Sequence, residues 1–394
     1  MLKRVEIKAF KSLDNVSVEL GLVNVFVGAN GSGKSNLLES VGILSAAASG
    51  RVDDEALLRR GVRPGVPALY KTSFAGSRIR DAIGFKAVSE HAAYSVALNN
   101  PTRQPQPAWS FKTECLHAKG RKIVDRSGSD YPSLNPHAGL AALEAARLTP
   151  DNPAVQLLSE LRHFAIYSPN TPVLRGIVPD QQNRELVGLH GGRLAEAVSQ
   201  LHARSLVDPY FQDVEEDLLE LIDWVSAFGA RRSSDVPLAP SVPSREKVVY
   251  LRDRYMADKR NILSGYDASE GVLYALFTAV IATMDRAPAV LAVENVDAGL
   301  NPRLVRGLLE RLCRWVLQRE NPRQLLFTSH NPLVLDGLPL QDDRVRLFAV
   351  DRTNAGKTVV QRVVVDEALL QKAGEGWPLS RLWVSGHLGG MPNV

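Results

Sequence analysis

The chain has 394 residues, 45% hydrophobic and 23% charged, a composition that suits one large or two modest buried cores of an ordinary globular protein and argues against disorder as the default. Its net charge of +4, from 47 basic and 43 acidic residues, permits a nucleic-acid surface without requiring one. Cys115 and Cys313 lie far apart without metal-like spacing, which excludes a disulfide scaffold and sets the expectation of a cytoplasmic protein.

At the start of the chain, Lys3, Arg4, Glu6, Lys8 and Lys11 interleave with Leu2, Val5, Ile7 and Phe10, the pattern of a strand and not of a signal peptide. A second strand near 16–20 and a central strand over 22–27 follow, opening an α/β core. Next comes Gly28-Ala29-Asn30-Gly31-Ser32-Gly33-Lys34-Ser35, then Leu37, Leu38, Val41 and Leu44 at helical spacing. Strand, glycine-rich loop and helix in that order make a complete phosphate-binding loop. Its glycines let backbone N–H groups converge on phosphates, Lys34 reaches the terminal phosphates, Ser35 ligates Mg²⁺, and the helix N-terminus adds positive potential. The implied cofactors are ATP and Mg²⁺, with Asn30, Gly31, Ser32, Gly33, Lys34, Ser35 and Asn36 as the binding set.

Short apolar runs at 68–74, 82–88, 94–98, 109–115 and 121–124, separated by Gly, Pro and Asn clusters, predict an antiparallel β meander. Segments 139–147, 153–163, 191–203 and 208–228 have helical periodicity, the last with Leu218, Leu219, Leu221, Ile222 and Val225 on one broad face. The Ser-, Pro- and Arg-rich stretch 231–244 reads as a linker, so the helical arm is inserted into the core. Beyond it, strands at 247–252, 289–294 and 324–328 alternate with helices at 269–284, 302–320 and near Leu333, the signature of a largely parallel sheet. Tail strands at 344–350 and 358–365 and a helix around 379–384 close the chain. The expected fold class is therefore α/β, with a P-loop core over 1–50 and 245–394, an antiparallel β lobe over 51–138, and an inserted helical arm with linker over 139–244. The longest strongly apolar stretch, 272–284, is too short to span a bilayer, so no membrane partner is expected.

A Mg·ATP site also needs a carboxylate at the end of a buried strand, and the run Ala289-Val290-Leu291-Ala292-Val293 ends in Glu294. A second buried run, 324–329, ends in His330, placed to contact a γ-phosphate. Each has a plainer reading alone: Glu294 caps a turn, and a lone histidine is structural. Upstream, Asp267 followed three residues later by Glu270 reads as the capping arrangement of the next helix.

The order of phosphate loop, long insertion, Ser269-Glu270-Gly271 before a helix, strand-acid, Gly299-Leu300-Asn301-Pro302 and Thr328-Ser329-His330 resembles the SMC, RecF and OLD-type branch of ABC ATPases. Within that branch it is most similar to stand-alone, AAA-labelled, OLD-like ATPases without a fused nuclease, as in bacterial anti-phage systems such as Septu. The resemblance implies an ABC-ATPase head in which Ser269 and Gly271 are the signature motif that contacts a γ-phosphate bound by another subunit. It makes Glu294 the Walker B acid, Leu300 and Asn301 the D-loop, and His330 the switch histidine. It also implies a homodimer or higher homo-oligomer.

One departure from the family pattern stands out. The family has Asp-Glu at the end of the Walker B strand; this chain has Glu294-Asn295. Asn295 can orient water but accepts no proton at neutral pH, which predicts slow hydrolysis. Asp297 restores a carboxylate if the turn brings it near the γ-phosphate; the plainer reading gives it a turn or subunit contact. The catalytic set is thus Glu294, Asn295, His330 and Asp297, with Ser35 and Glu294 on the metal. A family Q-loop finds no match among Gln104, Gln106 and Gln156. The residues after Arg344 are too few for a Toprim nuclease, and Asp351, Asp366 and Glu367 do not form its acid pattern, so any cutting falls to an effector partner, a nuclease or toxin. Arg59, Arg60, Arg63, Arg78, Arg80, Arg231 and Arg232 are either nucleic-acid phosphate contacts or solvated faces. The glycine-rich tail 383–394 is either a packed turn or a partner-binding segment.

Overall fold

The structure is a computed structural model that describes residues 1–76, 79–127, 134–182, 184, 186–243, 245–365 and 378–385. Arg78, Asp366, Glu367 and the tail from Gly386 onward lie outside the described residues. The chain opens with β1 (Arg4–Phe10), β2 (Leu13–Glu19), β3 (Val23–Val27) and α1 (Lys34–Ala48). It continues through α2 (Asp54–Leu58), α3 (Pro67–Tyr70), β4 (Ala82–Val88), β5 (Ala92–Asn99), β6 (Ser110–Ala118) and β7 (Arg121–Ser127). The middle carries α4 (Leu140–Ala145), α5 (Pro153–Arg162), β8 (Ile166–Tyr167), α6 (Thr171–Leu174), α7 (Leu194–Ser205), α8 (Pro209–Leu221) and β9 (Val225–Arg232). Then follow β10 (Lys247–Asp253), β11 (Ile262–Ser264), α9 (Glu270–Thr283), β12 (Val290–Val293), α10 (Pro302–Gln318), β13 (Gln324–Ser329), β14 (Val345–Arg352), β15 (Thr358–Val363) and α11 (Leu379–Val384).

The core sheet has the order β15-β14-β3-β13-β12-β8. Its strands run parallel except β15, which pairs antiparallel with β14. A parallel sheet is covered on both faces, and β3, β12 and β13 are accordingly buried at every residue. Alternate side chains feed two separate cores. Val23, Val25, Val27, Leu325, Phe327, Leu291 and Val293 point to the side of α7 to α10. Phe26, Leu326, Ala292 and Phe348 point to α1 and the antiparallel sheet, with the Phe26 and Phe348 rings stacked 4.9 Å apart. Helix α1 lies between the two sheets and is buried almost all round, which explains its lack of a polar face.

Several elements depart from the sequence reading. β1 and β2 do not open the core sheet; they are the near edge of an antiparallel sheet ordered β2-β1-β4-β5-β6-β7. Their partner β4 lies some eighty residues on, beyond the reach of local pattern. The strand expected at 68–74 is instead the single turn α3, started by Pro67 at its first position, where the missing N–H costs nothing. The helix expected over 208–228 stops at Leu221: Ile222 leaves helical geometry (φ −107°, ψ 76°), and β9 pairs antiparallel with β10. Inside the 139–244 span, Ile166 and Tyr167 form the outermost strand of the core sheet, paired with Ala292 and Val293.

Candidate functional site

Register brings the site to one edge. Val27 pairs with Ser329, Phe26 with Thr328, and Phe327 with Val293, so the loop after β3, His330 after β13 and Glu294 after β12 all leave the carboxyl edge of the same sheet. Open parallel sheets bind ligands at this edge.

The phosphate loop curls over its own lysine. Lys34 Nζ donates to the Gly28 and Ala29 carbonyls at 2.7 and 2.8 Å. Burial pushes the Lys34 ammonium pKa down, opposed first by Asp297 and then by Glu294. Gly33 has φ +112°, and a Cβ there would lie 2.2 Å from Thr358 Oγ1, so no other residue fits this step into the helix. Ser35 Oγ donates to Glu294 Oε1, joining the first turn of α1 to the end of β12. Asn36 Nδ2 donates to Ser12 Oγ at 2.8 Å. Asn30 and Gly31 lie on the exposed crest of the loop. The Ser32 hydroxyl is buried without a hydrogen-bond partner.

Two bracing residues escaped the sequence reading. Thr358 Oγ1 lies 2.7 Å from both Ser12 Oγ and the Ser32 carbonyl oxygen, so β15 and the β1–β2 turn clamp the loop from outside. Their separation in sequence from the loop left no local signal.

At the end of β12 the backbone turns sharply. Asn295 is exposed with φ +51°, a left-handed conformation that asparagine tolerates better than most residues, and its N–H donates to Thr328 Oγ1 at 3.0 Å. Asp297 is only 6% exposed, and its Oδ1 is buried with no hydrogen-bond partner. The turn therefore carries the Asp297 carboxylate inward, where its field acts on Lys34 more strongly than that of Glu294. His330 is exposed one residue beyond the Ser329–Val27 pair.

Ser269 and Gly271 sit elsewhere. The expected cap is corrected here: Ser269, not Asp267, holds the N-cap of α9, and no side chain caps that end. Asp267 instead accepts from Ser264 Oγ at 2.6 Å, and Glu270 from Thr171 Oγ1. Ser269 opens on a cleft of about 490 Å³ shared with Trp224, Asn301, Leu304 and Arg311, and no residue of 28–35 lines it. Gly271 is buried against the Gly299 turn and α10: a Cβ on it would lie 3.0 Å from Leu304 Cδ2 and 3.2 Å from the Gly299 carbonyl. Of the remaining sequence candidates, Gln104, Gln106 and Gln156 are exposed, away from the loop's hydrogen bonds.

Chemically, a serine hydroxyl touching a carboxylate supplies two hard oxygens, which suits a Mg²⁺ ion that takes most of its ligands from phosphates and water. Asp297 Oδ1, buried without a partner, is a further acceptor near enough for Asp297 to act on Lys34. Among the described residues, no group of three or more His, Cys, Asp or Glu is arranged to hold a metal by itself, and no helix is long and apolar enough to cross a membrane.

Residues 23–336 match the profile of a family described as "AAA domain, putative AbiEii toxin, Type IV TA system". The DNA replication and repair protein RecF of Heliobacterium modesticaldum is 28% identical over 138 residues, 32% of this chain and 37% of that protein. RecF of Rhodococcus erythropolis is 30% identical over 107 residues, 27% of this chain and 25% of that protein. The matches thus span well under half the length of these relatives. Among solved structures, an Smc head bound to the C-winged helix domain of ScpA superposes with a TM-score of 0.54 at 12% identity, covering 94% of this chain and 99% of that one. An Smc head with an extended coiled coil, bound to the C-terminal domain of ScpA derived from Pyrococcus furiosus, gives 0.50 at 12% identity, covering 95% and 99%. The shared feature is the fold, that of an ABC-type ATPase head.

Proposed function

The chain belongs to that AAA-domain family, within the SMC and RecF branch of ABC-type ATPases, and on that premise we propose that it is a slow, Mg²⁺-dependent ATPase whose ATP-bound dimer gates a separate effector. The observation that carries the enzymatic part is the contact of Ser35 with Glu294, with Lys34 buried beside both acids. In this reading Lys34 and the loop amides hold the β- and γ-phosphates, and Ser35 and Glu294 hold the metal. Bound Mg²⁺ neutralises charge on the phosphate oxygens. His330 faces the γ-phosphate, and Asn295 orients the attacking water without taking its proton. Phosphoryl transfer depends chiefly on positioning and electrostatics, so hydrolysis survives the missing general base at a reduced rate.

Dimerisation is supported by the position of Ser269, on a cleft that its own phosphate loop does not reach. A second head would bring Ser269 and Gly271 to the first head's ATP. The effector in this proposal is a nuclease or toxin in anti-phage defence; the family description names a putative toxin of a toxin–antitoxin system and no separate effector. The second reading, a RecF-like clamp on DNA gaps or ends, is favoured by the RecF relatives. Steady-state phosphate release by the purified chain tests the enzymatic claim: slow, Mg²⁺-dependent turnover that Lys34→Ala abolishes is expected, and no turnover with ATP bound would reduce the protein to a scaffold. Native copurification separates the roles. A toxic partner protein supports effector gating; gapped DNA bound in an ATP-stimulated, salt-dependent manner with no such partner supports the clamp.

A further inference from the structure

At the opposite end of α1 from the phosphate loop, α2, the end of α5 and the residues Gln182 and Arg184 line a cleft of about 790 Å³, within the range of small-ligand sites. Five arginines line it, Arg51, Arg59, Arg60, Arg162 and Arg184, against two carboxylates, Asp53 and Glu55, leaving three positive charges (5 − 2). Both acids are already engaged, Asp53 by Arg51 and Glu55 by Arg59. The other three guanidiniums make no ion pair among the described residues. Arg60 donates to Ser45 Oγ and Ser49 Oγ, each at 2.6 Å, and to the Ala56 carbonyl at 2.7 Å. Arg162 donates to the Ala48 carbonyl at 2.9 Å, and Arg184 to the Arg59 and Phe164 carbonyls at 3.0 and 3.2 Å.

Part of this basicity has a structural use, since cations beside the last carbonyls of α1 stabilise that helix end. That role fits Arg60 and Arg162. Arg184 does the same at the neighbouring helix ends, donating to the carbonyls of Arg59 and His163, the C-caps of α2 and α5, and it converges on the same space. We propose that this cleft is a second phosphate-recognition site, distinct from the phosphate loop, that takes a small oligophosphate-bearing anion.

Guanidinium forks match phosphate oxygens, and a concave wall of one sign focuses potential on its contents. Burial, and after it the neighbouring Arg184 and Arg59, lower the Arg60 guanidinium to about 10, so part of the cost of this cluster is mutual repulsion. An oligophosphate would relieve it. Three uncompensated charges match a triphosphate better than a single phosphate. The 15 residues of α1 place the cleft roughly 22 Å from the loop, so one ligand cannot occupy both sites. Of the arginines read from the sequence as contacts or solvated faces, Arg60 is buried in this cluster, whereas Arg59 is largely exposed and paired with Glu55.

Calorimetric titration with inorganic tripolyphosphate on the full chain tests this. In Lys34→Ala, which disables the phosphate loop, one saturable site is expected to remain. Adding Arg51→Gln and Arg59→Gln, whose side chains are 66% and 69% exposed and should not be needed for folding, is expected to weaken that site about tenfold or more. On the Lys34 background the same pair should leave ATP binding by the loop unchanged. No saturable binding in Lys34→Ala would overturn the proposal, as would unaltered affinity in the arginine variants. It would equally be overturned if a short DNA duplex bound with this arginine dependence while tripolyphosphate did not, which would make the cleft part of a nucleic-acid surface.

Discussion

Asn295 and Asp297 share one turn, and in the proposed mechanism they divide the properties of a catalytic acid between them. Asn295 is exposed at the position where the resemblance places the catalytic glutamate, and it carries no charge. Asp297 supplies a buried carboxyl group, its Oδ1 without a partner. A buried acceptor without a hydrogen bond is costly unless a ligand supplies one. Asn295→Glu is expected to raise turnover by about tenfold or more, short of the ~10²–10⁴-fold that a well-placed general base contributes, because glutamate suits φ +51° less well. Unchanged or lower steady-state hydrolysis in a folded variant would contradict this. Asp297→Asn is expected to lower turnover by about tenfold while leaving ATP affinity nearly unchanged; a fall in melting temperature with turnover intact would assign Asp297 to the turn alone. The sequence made Lys34, Ser35 and Glu294 legible because their chemistry demands fixed types at fixed offsets from a strand. Ser12 and Thr358 were not legible, since they reach the loop only through tertiary contact.

Among the elements, the antiparallel sheet is tied to α4 by one buried acid. Glu114, fully buried on β6, accepts from the Leu140 and Ala141 amides at 2.6 and 3.1 Å and from Tyr94 Oη at 3.0 Å. Glu114→Ala is expected to cost about 2–4 kcal/mol by urea denaturation, because it strands two helix-start N–H groups and leaves a cavity. Burial raises the Glu114 carboxyl pKa against those hydrogen bonds. The folded chain therefore holds this proton to higher pH than the unfolded chain. The resulting stabilisation is full below the unfolded value, about 4.5, and is lost as pH rises through the folded value, so the advantage of wild type over Glu114→Gln should be largest in acid. The core strands and long helices were legible as elements because burial on both faces or on one stripe leaves a clear apolar period. β8 and the sheet assignment of β1 and β2 were not, because partners far along the chain define them, and β9 was not, because its first residues continue the apolar period of α8.

For the whole molecule, two cores grip the central sheet from opposite faces, and the functional edge lies open between them. Within one chain the phosphate loop and the Ser269 cleft remain apart, which is the strongest reason to read the head as half of a unit. The sequence carried that idea only through its resemblance to a family; composition and periodicity alone stop at an ATP site on an α/β core.

The central claim, that two chains share each ATP site, is tested most directly by mixing two inactive variants. Lys34→Ala cannot hold ATP but keeps its Ser269 and Gly271; Ser269→Arg keeps its phosphate loop but spoils what it offers a partner. A mixed dimer contains one intact composite site. The account predicts that neither variant hydrolyses ATP alone and that an equimolar mixture recovers a substantial fraction of wild-type phosphate release, with an ATP-dependent dimer in sedimentation. Full activity of Ser269→Arg alone, or no recovery on mixing folded variants of which Ser269→Arg still binds ATP, would contradict it.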